Sequence, residues 1–269
     1  MTIKLIAIDI DDTLLSSQHQ ILDSTKSQIK KALDQGVKIV LCSGRPLAGV
    51  APYLAQLGIA GDQQYVVTFN GSVIETAAGE IIQQVGITHE TYRAVDQYSK
   101  TNQLAYNVLD SNSTIYTSNL DVDPITVVQA WENEAGLLIR QPDQVKLDVK
   151  MIKAVFTGPS AVLDQHEAAV KAQFGQENYV VRAGSRFLEV MHRAVNKGAA
   201  LKQLARHLQI QPTEIMAIGD EQNDIPMFNF AGTAVAMANG SAAAKQHADF
   251  ITTDNDHDGI AQALDQYIF

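Results

Sequence analysis

The chain has 269 residues, 46% of them apolar and 19% charged, with a net charge of −10 and one cysteine. That length allows one or two domains with a good-sized core, the apolar stretches are too short and interrupted to span a bilayer, and the acidic balance excludes general binding to nucleic-acid backbones. The lone Cys42, read as a small buried hydrophobe, excludes an internal disulfide framework and a cysteine-cluster zinc site; with no recognisable signal peptide, a cytoplasmic protein is expected.

In chain order, KLIAIDI (4–10) reads as a strand buried on both faces, because its apolar residues are nearly continuous. A helix is predicted from Ser24, as N-cap, to Gln35, with Gly36 just past its end. VKIVLCS (37–43) is the next buried strand, Pro46 opens a helix that stops at Gly58, and YVVTF (65–69) is a third strand. Asn70-Gly71 followed by SVIE reads as a hairpin turn. From about 83 to 189 the pattern changes. Helices at 88–101, 124–135 and 160–174 separate paired strands at LAYNVLD and STIYTS, a strand at KMIKAVFTG, and neighbouring strands at YVVRAG and FLEVMHR. Trp131, on the middle one of these helices, is expected in the core. The alternating order then returns: a helix at 197–208, the strand IMAIGD (215–220), a helix from Gln222, the strand TAVAM (233–237), a helix from Ser241 and the strand DFITT (249–253).

This order predicts an α/β fold, a doubly wound parallel-sheet core formed by 1–82 and 190–269, with an inserted α+β domain at 83–189. In such sheets chemistry collects at the carboxyl ends of the strands, and there the polar clusters fall. Asp9 and Asp11 end the first strand, Ser43-Gly44-Arg45 the second, Asn70-Gly71 the third, and Asp220, Glu221, Asn223 and Asp224 follow IMAIGD. Asp9 and Asp11, two apart in extended chain, are expected to point to one side. With Asp220 and Asp224 they would gather four carboxylates, which is reasonable only around a hard cation, and oxygen-only ligands with open positions favour Mg²⁺. Lys197, Ser43 and nearby backbone N–H groups would then hold a phosphate, and one aspartate would attack phosphorus. His192 and the run DNDHDG (254–259) read as structural, the latter as a cap on the last helix.

These residues carry a resemblance. DIDDT (9–13), SGR (43–45), Lys197 and GDEQND (219–224) resemble, in order, the four motifs of the haloacid dehalogenase-like (HAD) hydrolases, and FNGS (69–72) with the insert is similar to their Cof-type sugar-phosphatase branch. The resemblance implies Asp9 as nucleophile and Asp11 as acid/base. It implies Mg²⁺ held by Asp9, the backbone carbonyl of Asp11 and Asp220, with Asp224 supporting that shell. Ser43, Gly44, Lys197 and Asn223 would bind the phosphate, Arg45 and Asn70 being further candidates, and the insert would be the cap that selects a small phosphorylated substrate. Among its hydrogen-bonding candidates are Asn107, Asn112, Arg182 and Arg186. Glu221 departs from the small residue many relatives carry. A phosphotransferase with the same covalent chemistry, or a non-catalytic phospho-switch, are the alternative readings; neither nucleic acid nor a membrane is an expected partner.

Overall fold

The computed structural model describes residues 2–269 and divides into two compact units. One comprises the chain up to Gln83 together with Asn196–Phe269, the other Gln84–Val195.

The first unit is built on β1 (Leu5–Ile8), β2 (Lys38–Cys42), β3 (Tyr65–Thr68), β4 (Val73–Thr76) and β5 (Ile81–Gln84), joined by β12 (Ile215–Gly219), β13 (Thr233–Ala236) and β14 (Phe250–Ile251). Their order across the sheet is β14-β13-β12-β1-β2-β3-β4-β5. The strands from β14 to β3 pair in parallel, and β4 turns back antiparallel on β3. β1 shows why its sequence is apolar throughout. Leu5 and Ala7 pack into the cluster on one face, and Ile6 and Ile8 into the cluster on the other. Burial of a Leu or Ile side chain contributes about 1.5–3 kcal/mol, and in a strand covered on both sides every position gains it. Helices α1 (Asp23–Asp34), α2 (Leu47–Gln56) and α9 (Gly259–Tyr267) cover the face of Ile6 and Ile8, and α6 (Lys197–Leu208), α7 (Ile225–Phe228) and α8 (Ala242–Gln246) the face of Leu5 and Ala7.

Several expected boundaries shift for local reasons. α1 begins two residues early, with Leu22 rather than Ser24 at its N-cap position, and Ser24 instead donates its hydroxyl to Asp258. The helix expected from Gln222 is a single turn, Ile225–Phe228, because residues 221–224 are used in a turn. The acidic run 254–259 does not cap α9 with a side chain; Asp258 stands at the N-cap with φ 60° and no capping bond.

The second unit holds β6 (Tyr106–Asp110), β7 (Ile115–Thr117), β8 (Leu137–Ile139), β9 (Met151–Thr157), β10 (Asn178–Arg182) and β11 (Phe187–His192), in the order β10-β11-β9-β6-β7-β8. Its pairings are antiparallel except β7 with β8, a strand the sequence did not suggest. It runs on to Val195, past the expected return at 190, since β11 pairs with β9 and β10 as far as Met191 and His192. α3 (His89–Asn102) and α5 (Ser160–Phe174) bury Tyr92, Val95, Tyr98, Leu163, Val170 and Phe174 against Tyr106, Val108, Ala154, Phe156, Leu188 and Val190.

α4 (Pro124–Glu132) corrects one expectation. Trp131 is not core: it is 80% exposed, while Thr126 and Gln129 are buried. The sheet surface under α4 is itself polar. Asn107 donates to Thr126 (3.0 Å) and Gln129 (2.8 Å), and Thr126 lies 3.4 Å from the Thr157 hydroxyl. A helix over a polar patch turns its polar face inward to satisfy those groups, and the apolar face is left outside.

Candidate functional site

Asp9 continues the line of β1, its N–H donating to the Ile218 carbonyl at 3.0 Å, so the parallel sheet sets its position. β12 ends at Gly219, and Asp220 and Asp224 follow. One carboxylate oxygen from each of Asp9, Asp220 and Asp224 lies within 4.8 Å of the others, and all three residues are buried. Lys197, at the first turn of α6, puts Nζ 2.5 Å from Oδ1 of Asp9 and 2.6 Å from Oδ1 of Asp224. A helix N-terminus disfavours a cation, and the two carboxylates offset this.

Asp224 fixes the arrangement. Its Oδ2 accepts the backbone N–H groups of Asp220 (2.9 Å) and Glu221 (3.0 Å) rather than capping α7. Gly219 leaves room for it: a Cβ there would sit 2.5 Å from the Asp224 carboxyl carbon. Thr13, not among the residues expected from the sequence, donates its hydroxyl to Oδ1 of Asp220 at 2.9 Å. Its place inside DIDDT, beside two carboxylates, was the available signal.

Asp11 departs from expectation. The strand ends at Ile8, and residues 10–14 form a kinked turn in which Asp12 adopts φ 56°. The two-residue alternation of extended chain therefore stops before Asp11, and its carboxylate is not in the cluster. Instead Arg45 holds it in a two-bond fork, Nε to Oδ2 at 3.1 Å and NH2 to Oδ1 at 2.7 Å. The four-carboxylate gathering is three carboxylates and a lysine.

Ser43 is fully buried, and its hydroxyl accepts the Arg45 N–H at 3.1 Å. Asn70, in left-handed backbone with φ 55°, donates its N–H to the Ser43 carbonyl (2.8 Å) and accepts from Asn223 Nδ2 (3.0 Å). Gly44 lies against the Asn70 amide, where a Cβ would come within 3.1 Å. The second, third and late strand ends are thus tied together, and the side-chain oxygen Oδ1 of Asn223 is left buried without a partner. Glu221 is outside the triad and accepts the Gln222 N–H at 3.1 Å. In the second unit, Arg182 is bound to Asp164, Glu167 and the Ser160 and Ser185 carbonyls, which is a structural role. His192 likewise accepts the Ala194 N–H.

The electrostatics show a deficit of positive charge. Burial first, and then the neighbouring Asp224 carboxylate, push Asp9 up from 3.8 to about 7. Burial and the charges of Asp9 and Asp224 push Asp220 to about 9. Burial pulls Lys197 down, but the Asp224 and Asp9 carboxylates outweigh it and hold the ammonium above its ordinary value. Oxygen-only donors, three carboxylates to one lysine, fit a hard divalent cation, whose charge would hold Asp9 and Asp220 ionised.

A doubly wound sheet with an acidic triad and a lysine at its strand ends, interrupted by an α+β insert, defines the class of HAD-fold proteins. The chain belongs to the haloacid dehalogenase-like hydrolases: the sequence profile of that family matches residues 6–264. It is similar to YxeH of Bacillus subtilis, named as a candidate phosphatase, at 32% identity over 266 residues and 98% of each chain. Its structure resembles a haloacid dehalogenase-like hydrolase from Bacteroides thetaiotaomicron, with a TM-score of 0.85, 29% identity and all of both chains covered. It shares the fold of BT4131, described as a HAD subclass IIB sugar phosphatase, with a TM-score of 0.82, 23% identity, and 98% of each chain covered. Within its family this chain is a phosphatase of the Cof type. Among the described residues no helix is long and apolar enough to cross a membrane.

Proposed function

We propose that this phosphatase is Mg²⁺-dependent, hydrolyses small phosphomonoesters, sugar phosphates foremost, and works through an aspartyl-phosphate on Asp9. The observation that carries the reading is Lys197 bridging Asp9 and Asp224 beside Asp220 in one buried cluster. Asp9 and Asp220 would hold the metal with the Asp11 backbone carbonyl, and Asp224 would keep that shell and Lys197 in place. Bound there, Mg²⁺ supplies positive charge that orients the phosphate and offsets the charge developing on it.

Asp9 attacks phosphorus, and the bond from phosphorus to the leaving oxygen breaks. Asp11 gives that oxygen its proton, then removes one from the water that attacks the aspartyl-phosphate and frees phosphate and the Asp9 carboxylate. For this Asp11 exchanges the Arg45 guanidinium for the leaving oxygen. Ser43, Lys197 and Asn223 hold the phosphate oxygens, with Arg45 and Asn70 at their edge. Substrate choice is assigned to residues 84–195, as the resemblance implies. Sugar phosphates are the favoured class because BT4131, of the same fold, is described as a sugar phosphatase. The lone buried Cys42, its thiol pushed up to about 12 by burial, and the charge of −10 favour a cytoplasmic enzyme that binds no nucleic acid.

The test is phosphate release from a panel of sugar phosphates, nucleotides and p-nitrophenyl phosphate, with Mg²⁺ and with chelator, for the native protein and Asp9→Asn. Mg²⁺-dependent release lost in the variant supports the reading. Release that survives either chelation or Asp9→Asn overturns it.

A further inference from the structure

The segment that carries Asp9 and Asp11 leaves the strand at Ile8 and closes into a turn through the Leu14 and Leu15 N–H groups on the Asp9 and Ile10 carbonyls. Its course is held from a distance by three side chains of the C-terminal loops. Asn239 Nδ2 donates to the Asp12 carbonyl at 2.7 Å. Asn255 Nδ2 donates to the Leu15 carbonyl at 2.8 Å, in a buried bond. Asp256 accepts the Ser17 N–H at 2.8 Å. Asn255 also donates its own N–H to Oδ1 of Asn239 at 3.1 Å. Both ends of the Asn239 amide are therefore used, and its orientation is fixed by a donor on one side and an acceptor on the other.

These bonds meet the chain where it turns most sharply. Asp12 is in left-handed backbone, which aspartate tolerates better than most residues but less well than glycine. While Arg45 grips the Asp11 carboxylate, its main chain lies between two long-range anchors, the Asp9 N–H on the Ile218 carbonyl and the Asp12 carbonyl on Asn239. The first belongs to the sheet; the second comes from side chains 227 and more residues away. Once Asp11 has left Arg45 for the leaving oxygen, release of the second would let the turn relax and swing Asp11, leaving Asp9 in register.

We propose that Asn239, oriented by Asn255, is a positioning residue that sets where the Asp11 carboxyl is presented, and through it the efficiency of proton delivery to the leaving oxygen. This rests on the acid/base reading of Asp11 above. Such a role has a signature that loss of stability does not. An alkyl leaving oxygen needs the proton, and p-nitrophenolate hardly does.

The experiment compares kcat/KM for the fastest alkyl phosphate of the panel with that for p-nitrophenyl phosphate, in the native protein, Asn239→Ala and Asn239→Asp. Asp keeps the acceptor for Asn255 but has no hydrogen to give Asp12. Both variants should lose about ten- to a hundredfold on the alkyl ester, the scale of a small misplacement, and less than about threefold on the aryl ester. Amide hydrogen exchange should quicken over residues 11–17 and stay unchanged in β13. Equal loss on both esters, no loss on either, unchanged exchange over 11–17, or failure of both variants to fold each overturn the proposal. Activity insensitive to Asp9→Asn overturns the phosphatase mechanism instead, and the exchange measurement still decides the tether.

Discussion

Lys197 and Asp224 form an ion pair in which both side chains are fully buried, at 2.6 Å. Burying two charges is costly, and the cost is offset only when each finds further partners. Here Lys197 also reaches Asp9, and Asp224 also takes two backbone N–H groups. The pair thus shapes the loop after β12 and neutralises part of the triad.

Removal of the lysine should show both roles. Lys197→Met leaves Asp9 and Asp224 buried without their cation, an arrangement that costs about 3–5 kcal/mol. Phosphate release should fall by about 10²–10³, as loss of a charged contact to a transition state does. Urea unfolding of the metal-free variant and its kinetics with Mg²⁺ measure the two effects separately. A variant as stable and as fast as the native protein would mean that Lys197 serves neither.

The same charge deficit predicts how stability varies with pH. Burial and the neighbouring carboxylates push Asp9 up to about 7 and Asp220 up to about 9 in the fold, from an ordinary 3.8 when unfolded. Between these values the folded state holds protons that the unfolded state has released, so stability falls as pH rises. The metal-free protein should lose stability from roughly pH 4 through about 7 and on to about 9. Excess Mg²⁺ should flatten or reverse the slope, because a bound cation replaces those protons. Urea midpoints in chelator and in Mg²⁺ across this range are the measurement. Midpoints in chelator that rise with pH would contradict the raised carboxyls.

Gly219 gives a third prediction. A methyl group there would meet the Asp224 carboxyl at 2.5 Å, while Asp224 is held on the other side by Lys197. Gly219→Ala must displace Asp224 or bend the strand end, at a cost of about 1–3 kcal/mol. Phosphate release should drop with it, and Mg²⁺ should bind more weakly, which calorimetric titration reads directly. Full activity and unchanged Mg²⁺ affinity would show that the close approach is unimportant.

The residues legible in the sequence share one property. Asp9, Ser43, Asn70 and Asp220 each follow an apolar run that had to be a central strand, and the rule that parallel strands present their carboxyl ends together brought the four to one edge. Asp11 escapes strand periodicity because it lies three residues beyond Ile8, where the backbone turns through a left-handed Asp12. Asn239 and Asn255 left no trace, since their partners are main-chain carbonyls, which every residue has. Cap placement at Ser24 failed because a hydroxyl near a helix start can choose a distant carboxylate, as it does in Asp258.

α4 supplies the last prediction. Apolar residues on one face of a helix usually mark the buried side, and on that ground Trp131 belonged in the core. The buried side is chosen by what lies beneath it, however, and beneath α4 lie Asn107 and Thr157. Thr126 and Gln129 answer them, and Trp131, Val127 and Val128 stand at 80%, 49% and 50% exposure. Trp131→Ser should therefore change stability by less than about 0.5 kcal/mol, where a core tryptophan would cost about 3–5 kcal/mol. Gln129→Leu should do the reverse: it strips the Asn107 side chain of an acceptor in a buried setting and should cost about 1–3 kcal/mol. Denaturant unfolding of the two variants side by side decides between the faces. A costly Trp131→Ser with a harmless Gln129→Leu would mean that the helix is turned the other way.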